Sequence, residues 1–237
     1  MQFSAPIYAL KRKAKLLARD THIPLHQAQD RIARQEGFQS WSHLAASFDT
    51  ETPARDILGQ LEPGDLCLIG ARPGQGKTRL ALELAARASR LDRQGYVFTL
   101  DYHVRDVAEH FAAMGVKPHG LDAQVVVDTS DDITAGDITQ RLGAAKPQTL
   151  VVIDYLQLLD QKRTNPSLQA QMGTLQSFVR ETGAICLVIS QIDRAFDLDG
   201  RAMPSLSDVR LPNPLDLSIF SKVLFLHNGR IQLDRAA

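Results

Sequence analysis

Apolar residues fall in two rhythms along this chain. Short unbroken runs at residues 66–69, 95–100, 124–127, 150–153 and 184–189 are bounded by glycine, proline or polar clusters. Runs of that length and flank predict strands, buried on both faces. Between them the spacing changes to three and four: Leu80, Ala81, Leu84, Ala85 and Ala88, with Arg79, Glu83, Arg87 and Arg90 interspersed, predict an amphipathic helix opening near Gly76. Val107, Ala108, Phe111 and Met114 predict a helix over 104–114, and further helices are expected over 137–142 and 167–182. Strand and helix in alternation predict an α/β fold, a mostly parallel sheet with helices on its faces. Residues 222–227 and 230–233 flank Asn228-Gly229, the dipeptide of a tight hairpin.

The first fifty residues differ. Leu16 and Leu17, then Ala28, Ile32 and Ala33, then Leu44 and Phe48 supply apolar faces for two or three short helices packed around Phe38 and Trp41, with Gly37 as a helix stop and Ser40 as the next N-cap. The opening helix carries Lys11, Arg12, Lys13, Lys15 and Arg19. Such a face either meets nucleic acid or is simply solvated. Residues 49–53 suit a linker and 55–61 a short helix, so the expected organisation is a helical module over 1–50 and an α/β domain over 51–237. The pattern Ala28-x-Asp30-x-Ile32-Ala33 with Gly37-Phe38-x-Ser40-Trp41-x-x-Leu44 resembles a small helical module attached to several bacterial proteins. That likeness assigns it no chemistry.

Composition narrows the classes. The formal net charge is zero over 237 residues, so any nucleic-acid contact must come from a local basic face rather than a bulk positive field. Cys67 and Cys186 lie in apolar runs without metal-type or redox-type spacing, and read as small core residues of a protein in a reducing cytoplasm. The basic N-terminal stretch lacks the apolar core of a signal peptide, and no apolar run approaches membrane-spanning length. A cytoplasmic protein without membrane contact is expected.

The chemistry-bearing stretch is Ile69-Gly70-Ala71-Arg72-Pro73-Gly74-Gln75-Gly76-Lys77-Thr78, which joins a predicted strand to a predicted helix. Gly74 and Gly76 let the backbone turn its N–H groups towards an anion, aided by the helix N-terminus. In that reading residues 71–78 cradle the phosphates of ATP, Lys77 reaches the β/γ oxygens and the Thr78 hydroxyl ligates Mg²⁺. The pattern G-x-x-x-x-G-K-[ST] is missed by one residue, because Ala71 stands where glycine is specified. The run 150–153 delivers Asp154 at a strand end, as a Walker B carboxylate beside the Mg²⁺ of Thr78 requires. Another strand ends in Ser190-Gln191, an amide placed to report the γ-phosphate. Asp101 and Asp128 also close predicted strands and are expected to cluster with the loop at the sheet's carboxyl edge, beside a mobile polar segment over 193–214.

Taken together, Ala71 to Thr78, Phe98-Thr99-Leu100-Asp101, Val152-Ile153-Asp154-Tyr155-Leu156-Gln157-Leu158 and Ser190-Gln191-Ile192-Asp193-Arg194 resemble the motor domain of DnaB-type replicative helicases, within the RecA-like ATPases. The resemblance spans residues 55–233, and that family tolerates alanine at the position of Ala71. It implies catalytic roles for Lys77, Asp101, Asp154 and Gln191, with Asp101 polarising the attacking water where the family usually has glutamate. A carboxylate one methylene shorter implies slow hydrolysis or an inward loop movement. Ser207-Asp208-Val209-Arg210 starts like the family's next motif, but Leu211-Pro212-Asn213-Pro214 does not continue it. Arg210, Arg230 and Arg235 are the candidates for a finger reaching a neighbouring subunit's nucleotide. The function implied is an ATP hydrolase acting in DNA replication, a homo-oligomer that moves along or remodels nucleic acid, single-stranded DNA above all. The alternative is an ATP-dependent switch or adaptor with weak hydrolysis, whose N-terminal module recruits a protein partner.

Overall fold

A computed structural model describes residues 7–50, 53–91, 93–99, 102–113, 125–130, 133–143, 145–160, 165–211 and 213–236. The chain divides into two compact units, Met1–Pro53 and Ala54–Ala237. The first is a three-helix unit: α1 (Ile7–Thr21), α2 (Leu25–Gln35) and α3 (Trp41–Thr50). Leu10, Ala14, Ala28, Ile32, Ala33, Phe38 and Leu44 form its core, with Leu17 and Trp41 packed against it. After α2 the chain closes in a Schellman turn, Phe38 N–H donating to Ala33 O and Gly37 N–H to Arg34 O. The Ser40 hydroxyl then caps α3 through His43 N–H at 3.2 Å, and Asp30 accepts from Trp41 N–H at 2.8 Å. One expectation fails: Leu16 is half exposed, and the register of α1 turns Leu10 and Ala14 inward instead. The side chain of Phe48 lies outside the described residues. The expected linker over 49–53 coincides with the boundary between the two units, with α3 continuing to Thr50 and α4 (Pro53–Gln60) beginning at Pro53. Proline suits a first helical turn, where its missing N–H has no partner to lose.

The second unit is an α/β sandwich. Among the described residues its seven strands are β1 (Leu66–Ala71), β2 (Gly95–Thr99), β3 (Val125–Asp128), β4 (Leu150–Asp154), β5 (Ile185–Gln191), β6 (Lys222–His227) and β7 (Arg230–Arg235). They lie in the order β3-β2-β4-β5-β1-β6-β7, all parallel except β7, which returns antiparallel through Asn228-Gly229. The helices are α5 (Lys77–Arg90), α6 (Val104–Ala113), α7 (Ala135–Leu142) and α8 (Leu168–Thr182). Expected ends at Leu100, Met114 and Gln124 lie outside the described residues.

Alternation along β1 shows why its run is continuous. Cys67, Ile69 and Ala71 face a core shared with α4, α5 and α6, while Leu66 and Leu68 face the core beneath α7 and α8. A strand covered on both sides has no solvent face, so its sequence has no polar alternation. Both cysteines are buried among these side chains, and burial pushes the Cys186 thiol up to about 12 and raises that of Cys67 as well. They act as packing groups. Gly70 has its own reason: a Cβ there would lie 2.8 Å from the Phe225 ring and 3.1 Å from Ile192 Cδ1.

Two boundaries moved for local reasons. α7 starts two residues before the expected position because Thr134 and Asp137 form a capping box: Asp137 N–H donates to the Thr134 hydroxyl, and Thr134 N–H to the Asp137 carboxylate. Residues 193–214, expected as a mobile loop, are tied down. The segment holds short 3₁₀ turns at Arg194–Leu198 and Leu206–Asp208, a bridge from Ile192 to Val209, and an Arg201 guanidinium that donates to Asp208 at 2.5 and 3.0 Å and to Asp199 at 2.8 Å.

At the amino end of β1 sits a buried ion pair. Lys222 Nζ lies 2.6 Å from Asp65 Oδ2 and 2.6 Å from Gln60 O, with Glu62 at 3.3 Å. Burial alone would lower the ammonium pKa, but the bonds to Asp65 and Glu62 outweigh it and the pKa is raised. Ser221 Oγ donates to the other Asp65 oxygen at 2.7 Å, and Ser221 N–H donates to Leu66 O at 2.8 Å. Replacing Asp65 by alanine strands the buried ammonium and should cost about 3 kcal/mol. The double variant Asp65→Leu/Lys222→Met should lose far less, and urea unfolding midpoints compare the two.

Candidate nucleotide site

All the expected site residues that are described lie at the carboxyl edge of the sheet. β1 leads through 72–76 into α5, and Gly76 takes the N-cap position with φ 87° after Gly74 at φ 79°. An L side chain in that region is strained, yet a Cβ at either glycine would meet nothing within 4 Å. The demand is therefore conformational, and the loop faces open space. Lys77 and Thr78 open α5, where the first-turn N–H groups lack helical partners and the dipole favours an anion.

Asp154 closes β4 with 1% of its surface exposed. Its register partner on β2 is Thr99. One narrow crevice is lined by Thr78, Thr99, Tyr102 and Asp154, above an apolar floor of Leu82, Val97, Val107 and Val152. Thr78 and Asp154, the two ends of the expected Mg²⁺ site, thus line one crevice although they are far apart in sequence. Thr99 Oγ1 and Ser190 Oγ are buried and make no hydrogen bond among the described residues. Buried hydroxyls without partners are costly, and here they occupy strand ends on either side of β4. This donor set, with a carboxylate, a threonine hydroxyl, a lysine and a helix N-terminus, fits a nucleotide's phosphates with a hydrated divalent cation.

Gln191 is the last residue of β5 and is in register with Ala71, the first residue of the loop. Its backbone is clamped, with Arg210 N–H donating to Gln191 O at 2.8 Å. Asp101 lies outside the described residues. Asp128 does not join the cluster. β3 is an edge strand four places from β1, about 19 Å by strand spacing. Its carboxylate is instead engaged by Arg141 and by Ser130 N–H.

The loop is held from two directions that the sequence did not reveal. Arg72 Nε lies 2.9 Å from Asp197, and Arg72 Nη1 donates to Ile192 O at 3.1 Å. Gln75 Oε1 accepts from Asn228 N–H at 2.8 Å, at the turn of the β6–β7 hairpin. Beside these ties opens a cavity of about 600 Å³ lined by Phe196, Asp197, Arg201, His227, Asn228 and Arg230. The Phe196 and His227 rings meet edge to face, 5.0 Å apart.

The family described as DnaB-like helicase C terminal domain matches residues 115–216, a span that includes Asp154 and Gln191 and follows the phosphate loop. The replicative DNA helicase DnaB of Leifsonia xyli subsp. xyli is 25% identical over 190 residues, covering 67% of this chain and 42% of the relative. The chain spans less than half the length of the first curated relatives it matches. Among solved structures, a DnaB-like replicative helicase described with its primase interactions aligns over 92% of this chain and 65% of its own, with TM-score 0.60 and 19% identity. A KaiC-like protein of the archaeon Pyrococcus horikoshii aligns over 72% of this chain and 76% of its own, with TM-score 0.51 and 17% identity.

Two outcomes test the local geometry. The Arg72–Asp197 pair is partly exposed, so Asp197→Ala should cost less than about 1 kcal/mol of global stability. Amide exchange should nevertheless quicken in both 72–76 and 194–198, read by hydrogen exchange. Asp208 is held below its ordinary pKa of 3.8, first by its bond from Arg201 and against the opposing effect of burial. Its stabilising contribution is thus present at neutral pH and disappears as pH falls below about 4 through the folded-state value. Asp208→Asn should flatten that acid limb of the stability curve.

The α/β unit is similar over residues 115–216 to the DnaB-like helicase C terminal domain family and shares its fold with a DnaB-like replicative helicase.

Proposed function

We propose that this chain binds ATP with Mg²⁺ at the loop 71–78 and couples its hydrolysis to movement along, or remodelling of, nucleic acid, single-stranded DNA above all. The observation that carries the reading is the meeting of Thr78 and Asp154 in one crevice at the carboxyl edge of the sheet. A phosphate loop without that carboxylate would bind anions; with it, the site has the parts of a hydrolase.

The residues divide the work. Lys77 and the loop N–H groups bind the phosphate oxygens, and Thr78 and Asp154 hold the hydrated cation. Bound Mg²⁺ supplies neutralisation of the charge that develops on the transferring phosphoryl group. Asp101, two residues beyond Thr99, orients the attacking water, and Gln191, in register with Ala71, senses the γ-phosphate. The adjoining cavity, with the Phe196 and His227 rings, receives the nucleoside end. Assembly as a homo-oligomer would let one subunit supply a finger arginine to the next, with Arg210, Arg230 and Arg235 as the candidates. Support for the nucleic-acid substrate comes from the similarity to DnaB helicases. The free buried thiols of Cys67 and Cys186 suit a reducing cytoplasm. No helix among the described residues is long and apolar enough to cross a membrane.

Lys77→Ala removes a charge-assisted contact of about 2 kcal/mol and should weaken ATP binding tenfold or more. Asp154→Asn should retain binding and lose turnover. ATP hydrolysis by the unaltered chain should rise when single-stranded DNA is added, and light scattering should show larger particles with ATP. Equal ATP affinity in Lys77→Ala would sink the nucleotide site. Hydrolysis indifferent to DNA, from protein that does not bind it, would sink the motor.

A further inference from the structure

The neutral total conceals a separation of charge. Residues 1–50 hold seven Lys and Arg against four Asp and Glu, and the rest of the chain carries the compensating negative excess. Within α1 the cations are arranged. Leu10, Ala14 and Leu17 turn into the core of the three-helix unit. Arg12, Lys15 and Arg19, at spacings of three and four, lie on the opposite side and are exposed, with Leu16 half exposed among them. No ion pair engages these three cations among the described residues. Of the unit's acids, Asp30 accepts from Trp41 N–H, Glu36 follows the end of α2, and Asp20 stands on α1 beside Arg19.

We infer that the outer face of α1 is a phosphate-backbone contact for nucleic acid, separate from the nucleotide site. Three cations over two helical turns span about 10 Å of axis, enough to meet successive phosphates. Contacts of this kind position a protein on a strand without reading its sequence. An anionic membrane is the competing occupant, and the packing of α1 argues against it. Surface-lying helices put an apolar face into the lipid, whereas the apolar face of α1 is already buried against Ala28, Ile32 and Phe38. Among the described side chains of α1, Leu16 is the large apolar one left outside. The inference also replaces a protein partner with a polyanion as the ligand of this module.

The test uses the full chain with Arg12, Lys15 and Arg19 all changed to Glu, positions that face solvent and leave the core intact. Circular dichroism and ATP binding should match the unaltered protein. Binding to dye-labelled oligothymidylate, read by anisotropy without nucleotide, should weaken about tenfold or more, and the double-logarithmic salt slope should drop by about 2. Lys77→Ala protein should bind the oligonucleotide like the unaltered chain, which separates this surface from the nucleotide site. Unchanged affinity and slope in the triple variant would overturn the inference. So would binding of the unaltered chain to phosphatidylserine–phosphatidylcholine vesicles but not to the oligonucleotide.

Discussion

The buried pair between Lys222 and Asp65 fixes where β1 stands, and nearly everything functional hangs from β1. At its amino end the strand is bonded to Ser221 on one side, and Cys186 N–H donates to Asp65 O on the other. Sliding β1 by one residue would exchange its two buried faces and move the loop at its far end by a whole residue step. An ion pair inside a protein is weak evidence for stability but good evidence for a unique arrangement. Here the arrangement selected is a register, which sets Ala71 opposite Gln191 at the sheet's carboxyl edge, where the loop 72–76 begins.

Placement of the candidate site residues follows from strand order rather than from local chemistry. β4 and β5 stand between β2 and β1, so Asp154, Ser190 and Gln191 are brought beside the phosphate loop by strands distant in sequence. The same order removes Asp128, which the edge position of β3 leaves to Arg141. Polar residues at the ends of buried strands are thus equivalent in sequence and unequal in space. Only those on the strands nearest the crossover next to β1 can share a ligand.

This distinction explains what could be read from the sequence. The strands, the helix α5 and the glycine loop announce themselves locally, through continuous apolar runs, three-and-four spacing and residues able to take positive φ. The placement of Lys77, Thr78, Asp154 and Gln191 at the ends of elements was legible, because each lies where such an element starts or stops. The Arg72–Asp197 tie was not, since its partners lie 125 residues apart and an Arg-rich, Asp-rich segment offers many pairings. That same segment, 193–214, looked mobile because its polar residues carry no period, yet Arg201 and Asp208 organise it through bonds that periodicity does not encode. In α1 the pattern pointed to Leu16 and Leu17, and packing took Leu10, Ala14 and Leu17 instead of Leu16. The Thr134–Asp137 capping box could have been read, as threonine and an acid three residues on are its ordinary signature.

The hairpin tie between Gln75 and Asn228 has a consequence in time as well as space. β1 is an early strand of its unit, but one of its two neighbours is β6, and the bond from Leu66 N–H to Ser221 Oγ spans 155 residues. During synthesis the central strand must wait, with one edge unpaired, until the last parallel strand has emerged. Long-range pairings of this kind slow folding and leave strand edges open to wrong partners. The phosphate loop is therefore among the first segments made and among the last to acquire its final support, so nucleotide affinity should appear late, as a property of the closed sheet.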